Sequence, residues 1–342
     1  MGCLGFVLVG LVCLLLLRLW QARPHRAADP TLGDPEAQRL LAGLKERQDW
    51  PAVHAFLEGQ RDWWERAFYV GVLEGHVSAG RDGAWLDAWM REHPTSSLPH
   101  LLQGAALLQW AWEARGSGTS DTVSAEGRRL FLERLAQAET ALQRAAELDP
   151  EDPTPFSFLI TVTMGLQHPL DVTAAYFHEA VRRDRFHLPT HFALLYRLTE
   201  KWGGSHEAMF EYARSTVAEL PDGHPLHLLL VEAHVMRFEY FAFDGDPFGR
   251  ARYLRKPDVQ ADIEGAYARM VGSPAWVEPP HDSSANEFAF YFWRVGDNAR
   301  LASELARMRH HVTDSPWELL GYHGVEIVER LRKKHGVPLP SA

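Results

Sequence analysis

Between Arg134 and Pro150 the chain reads RLAQAETALQRAAELDP, and this stretch constrains the fold more than any other. Ala138, Leu142 and Ala145 are spaced four then three apart, which puts them on one face of an α-helix. Gln137, Glu139, Gln143, Arg144 and Glu147 occupy the opposite face, and Asp149-Pro150 ends the helix because proline cannot continue it. Two alanines on the buried stripe let a second helix approach closely. Similar helical patterns recur with short breaks over residues 36–335, and no segment reads as a strand, so the expected class is all-α. A chain of this length can hold one large core or an array of repeated units.

The order Ala138, Leu142, Ala145, Pro150 resembles the second helix of a tetratricopeptide repeat, with Leu where Phe is usual. Phe156 and Leu159 stand at the spacing of that repeat's opening Trp and Leu. Gly104 stands where the repeat uses a small residue for close packing. Trp317-Glu318-Leu319-Leu320-Gly321 matches the Trp-x-x-Leu-Gly opening, with Gly324 in place of Tyr. The matches are half-repeats whose spacing wanders around the regular period of about 34 residues. A second resemblance is more specific. Lys201-Trp202-Gly203-Gly204-Ser205, followed by Met209 and Phe210, is similar to the signature of a bacterial domain-of-unknown-function family whose members are helical and repeat-like. The similarity runs from about Trp50 to about Gly272. Together the resemblances imply a superhelix of antiparallel helix pairs over residues 36–335, and they imply no activity.

Cys3 to Leu17 is uncharged, and Leu19-Trp20 extends the apolar run past Arg18. The 20 residues from Met1 to Trp20 just match a hydrocarbon core of about 30 Å if Arg18 snorkels. A cleaved signal peptide wants a basic start and an Ala-x-Ala site, and the run lacks both. Met1-Gly2-Cys3 resembles an acylation signal, but Phe6 replaces the expected Ser or Thr. An uncleaved single-pass membrane anchor over residues 1–20 is the expectation, with 21–35 as a Pro- and Asp-rich linker. Arg18, Arg23 and Arg26 follow the run, so the positive-inside rule puts the globular part in the cytoplasm. The net charge of −10 argues against a nucleic-acid partner. Both cysteines lie in the apolar run, which leaves no disulfide framework or Cys-based zinc site beyond it.

The candidate binding residues are Lys201, Trp202, Ser205, Met209 and Trp63. Ser205 also suits a helix cap, and the two glycines suit a turn, so the same signature has an architectural explanation. Trp63-Trp64 cannot both point inward on a helix, and one is expected at the surface, where aromatics favour recognition. The 18 histidines form no His-Glu-x-x-His, and no P-loop or dinucleotide fingerprint appears. Neither a metal nor a cofactor is therefore expected. Residues 244–256 concentrate Asp244, Asp246, Arg250, Arg252, Arg255 and Lys256 beside aromatics; a solvated turn, a cation site or a partner contact all fit. The functional expectation is a membrane-tethered adaptor, not an enzyme, with a protein or peptide partner in a concave groove. The alternative is an enzyme using Glu207, Asp244, Asp246 and His206. An adaptor predicts a groove lined by exposed aromatics, and an enzyme predicts an enclosed pocket with converging titratable groups.

Overall fold

The computed structural model describes residues 26–340 apart from 76, 78–82, 117–121 and 243. The expected anchor, residues 1–20, lies outside the described residues. No helix among the described residues is long and apolar enough to cross a membrane. Those residues form 16 α-helices and no strand, as the all-α expectation requires.

Short acidic or hydroxyl caps start many of the helices. Asp34 accepts from the amide of Ala37 to start α1 (Pro35–Arg47), and Asp49 does the same for α2 (Trp50–Gly59). Asp62 caps α3 (Trp63–Glu74). In each case the carboxylate satisfies an amide that has no partner inside the helix. The short α4 (Ala84–Glu92) precedes α5 (Leu98–Arg115) and α6 (Ala125–Leu148), the helix that contains the stretch Arg134–Leu148. Ala138, Leu142 and Ala145 are all fully buried along α6. A Cβ on Gly104 would lie 2.5 Å from Leu142 Cγ, so glycine is what lets α5 and α6 close up.

The chain continues through α7 (Thr154–Leu166), α8 (Leu170–Arg183), α9 (Leu188–Arg197), α10 (His206–Ala218) and α11 (Leu228–Tyr240). One core runs from α1 to α8. On α11, Leu229, Leu230 and Ala233 face a second core with α9 and α10. Leu228, Val231 and Phe238 face a third, which runs to the C-terminal helices. Serving two cores explains why Leu228–Val231 carries no polar face.

Residues 247–253, expected to be irregular, form α12 (Pro247–Tyr253), with Asp246 capping the amide of Gly249. Then come α13 (Pro257–Arg269), α14 (Ala285–Val295), α15 (Asn298–Arg307) and α16 (Gly324–His335). Trp317–Leu320, which resembles a repeat opening, is a single 3₁₀ turn; Trp317 is fully buried and its indole donates to Asn286. Every residue from Ala285 to Phe292 is buried, because Phe290 meets Phe238 and Trp317 while Tyr267 meets Phe288 and Phe292.

The two ends of the described residues meet. His281 stacks on Phe68 with centroids 3.6 Å apart, and its ring nitrogens lie 3.0 Å from Glu65 and 3.4 Å from Asp34. Arg26 pairs with Glu329 on α16 at 2.6 Å. In an open solenoid each unit touches only its neighbours. Here residues more than 200 positions apart are in contact, so helices far apart in sequence pack together.

Candidate functional site

The Lys-Trp-Gly-Gly-Ser segment joins α9 to α10 through a 3₁₀ turn, Glu200–Trp202. Gly203 has φ +82°, a conformation that side chains disfavour. A Cβ on Gly204 would collide with the carbonyl of Leu198, whose oxygen accepts from the Ser205 amide at 3.1 Å. Ser205 caps α10 through the amide of Ala208, also at 3.1 Å. Trp202 packs edge-on against Trp112 with centroids 5.5 Å apart, and Arg197 binds the carbonyls of Trp202 and His168. Met209 is fully buried in the core of α9 to α11. Of these four candidates only Lys201 is exposed, its ammonium 5.8 Å from the Trp202 ring centroid. Trp63 is half-buried, with the Arg66 guanidinium 4.6 Å over its ring. The glycine requirement is testable. Gly204→Ala should cost about 1–3 kcal/mol of unfolding free energy in denaturant titration, whereas Lys201→Ala should cost under about 0.5 kcal/mol.

The alternative acid–base set is partly assembled nearby. His206 lies 3.2 Å from Glu200, its ring 4.7 Å from that of Tyr240, while Arg237 pairs with Asp244 at 3.2 Å. Burial, then the positive charge of Arg237, lowers the His206 pKa and keeps the imidazole neutral. Glu207 is exposed in the first turn of α10, and Asp246 is occupied as a cap. The group is a partly exposed cluster of charges around a neutral imidazole.

A cleft of about 490 Å³ opens between α4, α5 and α6. Its apolar lining comes from Trp85, Leu86, Leu107 and Ala141, and its polar lining from Asp87, His100, Gln103 and Arg144. Burial, then the guanidinium of Arg144, lowers the His100 pKa, so the neutral ring offers one donor and one acceptor. The cleft is in the size range of small-ligand and peptide side-chain sites. Its polar groups come from helix faces that the sequence pattern marks as solvent-facing, which is why they attracted no notice there.

Five buried or half-buried ionisable residues were also missed. Glu232 on α11 and Glu287 on α14 lie close enough to affect each other's ionisation, and Glu287 Oε2 is buried with no hydrogen-bond partner. Burial, then the charge of its partner, pushes Glu287 well up; burial likewise raises Glu232. A shared proton reconciles the two carboxyls, giving a pair with one negative charge. Glu74, at the end of α3, is pushed by burial up to about 8. Arg66 reaches Asp152 at 2.9 Å, and both side chains are buried. Glu232 was legible as the one charge in LLLVEAHV; the others needed the tertiary structure.

Among the described residues no cluster of three or more His, Cys, Asp or Glu could hold a metal ion. No family model, curated protein or solved structure matches the chain.

Proposed function

We propose that the chain is a membrane-tethered helical-repeat adaptor, tetratricopeptide-like in its stacking, that holds a short peptide segment of a partner between α4, α5 and α6. The observation that carries this reading is the cleft, whose apolar floor lies beside Asp87, His100, Gln103 and Arg144. Such a mixture suits a peptide with one apolar anchor and an acidic group directed at Arg144. Apart from Phe248, no aromatic among the described residues is strongly exposed, so recognition rests on this cleft rather than on a row of surface tryptophans.

The test places a photocrosslinking amino acid at Gln103 of the full chain and offers it a displayed peptide library. Captured peptides should share an apolar and an acidic position. Arg144→Glu should reduce their capture at least about tenfold while leaving the thermal midpoint within a degree or two. Peptides without a common pattern, or capture indifferent to Arg144, would sink the reading. A second reading, an enzyme on a helical scaffold, draws on the raised carboxyl pair Glu232 and Glu287. It predicts that Glu287→Gln abolishes a turnover, whereas the adaptor reading confines that substitution to stability.

A further inference from the structure

The C-terminal body carries a cationic surface that the peptide cleft does not use. On α12, Phe248 is 75% exposed, more than any other aromatic among the described residues. Arg252 stands four positions on, which puts it beside Phe248 on the same helix face. Arg255 and Lys256 follow in the turn after the helix, and Arg255 donates to the carbonyl of Arg294 at 3.1 Å. Burial, then the guanidinium of Arg294, lowers the Arg250 pKa, and burial, then the guanidinium of Arg255, lowers that of Arg294, so the three cations lie near one another.

Among the described residues none of Arg250, Arg252, Arg255, Lys256 and Arg294 forms an ion pair, whereas Arg237 close by on α11 is paired with Asp244. The nearby acids are otherwise placed. Asp244 pairs with Arg237, Asp246 caps α12, Asp258 sits in the first turn of α13, and Glu239 lies near the half-buried Arg250. In a chain of net charge −10, an unpaired cationic group around an exposed phenylalanine is a local reversal of sign. It suits a surface that is both anionic and apolar just beneath.

We propose that Phe248, Arg252, Arg255, Lys256 and Arg294 form a docking face for the anionic headgroups of a lipid bilayer, with Phe248 entering the interface. This rests on the membrane-tethered part of the function proposed above. Two observations choose a membrane over another partner. The first is charge complementarity. The second is where the described chain begins: Arg26 is paired to Glu329 on α16, α16 packs against the 3₁₀ turn 317–320, and Leu319 of that turn accepts from Arg250. The apolar run Cys3–Leu17 therefore precedes a segment fastened to the same body that carries the face. A tether entering there raises the local concentration of lipid at a nearby surface.

The experiment is hydrogen exchange on the full chain reconstituted into vesicles. Neutral phosphatidylcholine vesicles are compared with vesicles containing about 30% phosphatidylglycerol. Amides of 247–256 should exchange about tenfold more slowly on the anionic vesicles, with α8 as an unaffected internal reference. Salt at about 0.5 M should erase the difference, and so should Phe248→Ser combined with Arg252→Glu, both at exposed positions. Equal exchange on the two vesicle types would overturn the proposal. So would protection by soluble polyglutamate but not by anionic vesicles, which would assign the face to an acidic polypeptide. A chain that fails to remain on neutral vesicles would count against the anchor instead, and the comparison with anionic vesicles would still read the face.

Discussion

At pH 8.5, Glu287→Gln should stabilise the protein by about 2 kcal/mol, and at pH 4.5 it should have almost no effect. Glu287 and Glu232 lie between α11 and α14; burial raises both above the ordinary carboxylate value of 4.5, and the charge of Glu232 raises Glu287 further. A carboxyl whose pKa is higher in the folded than in the unfolded state binds more protons when folded. Its stabilisation is complete below the unfolded value and is lost as pH rises through the folded one. Glu74, pushed up to about 8, adds a loss of the same sign. Stability should therefore fall between about pH 5 and pH 8.5, against the common pattern in which paired carboxylates fail in acid. Glutamine at 287 cannot ionise, yet its amide can donate to the remaining Glu232 carboxylate. Urea titrations of the wild type, Glu287→Gln and Glu74→Gln across this range provide the check. Parallel pH profiles for all three proteins would show that these carboxyls do not carry the dependence.

How much of this was legible in the sequence depended on the range of the interaction. The boundaries of α5 and the buried face of α6 followed from spacings of three and four residues, because helix packing is written locally. Ser205 as a cap followed from the same local chemistry. The strongest resemblance, Lys201 to Ser205, turned out to be built around backbone geometry at Gly203 and Gly204 and the packing of Trp202. α12 was read as irregular because its charges obscure the short helix that Asp246 and Pro247 begin. Trp317 kept the residue pattern of a repeat opening, but it is committed to Phe290, Trp293 and Asn286 and begins no long helix. The meeting of the two ends of the described residues was not legible, since His281 meets Glu65 across 216 positions. Spacing rules carry no information at that separation.

The pairing of Arg66 with Asp152 also lies beyond those rules, and it leads to the second large effect. Arg66→Met should destabilise the protein by about 3–5 kcal/mol at pH 7. The guanidinium is 2.9 Å from Asp152 and 3.4 Å from Asp149, and it also donates to the carbonyls of Leu57 and Gln60. It thereby ties the α2–α3 connection to the start of α7. Asp152 is fully buried, and desolvation raises its pKa even with Arg66 opposing the shift. Removing Arg66 leaves that carboxylate without its countercharge, so Asp152 must either stay charged in the core or take up a proton. Because the folded pKa is raised, the penalty grows as pH rises. The variant should therefore lose less stability at pH 4.5 than at pH 8. Asp152→Asn supplies the control. An asparagine oxygen can still accept from the Thr154 amide, as Asp152 does at 2.7 Å, so that amide at the start of α7 keeps its acceptor. If the unpaired charge dominates, the double variant Arg66→Met/Asp152→Asn should recover most of the lost stability. The coupling energy in the double-mutant cycle should then exceed about 2 kcal/mol. A double variant as unstable as Arg66→Met alone would place the cost instead in the orphaned carbonyls of Leu57 and Gln60 and the lost packing on Trp63.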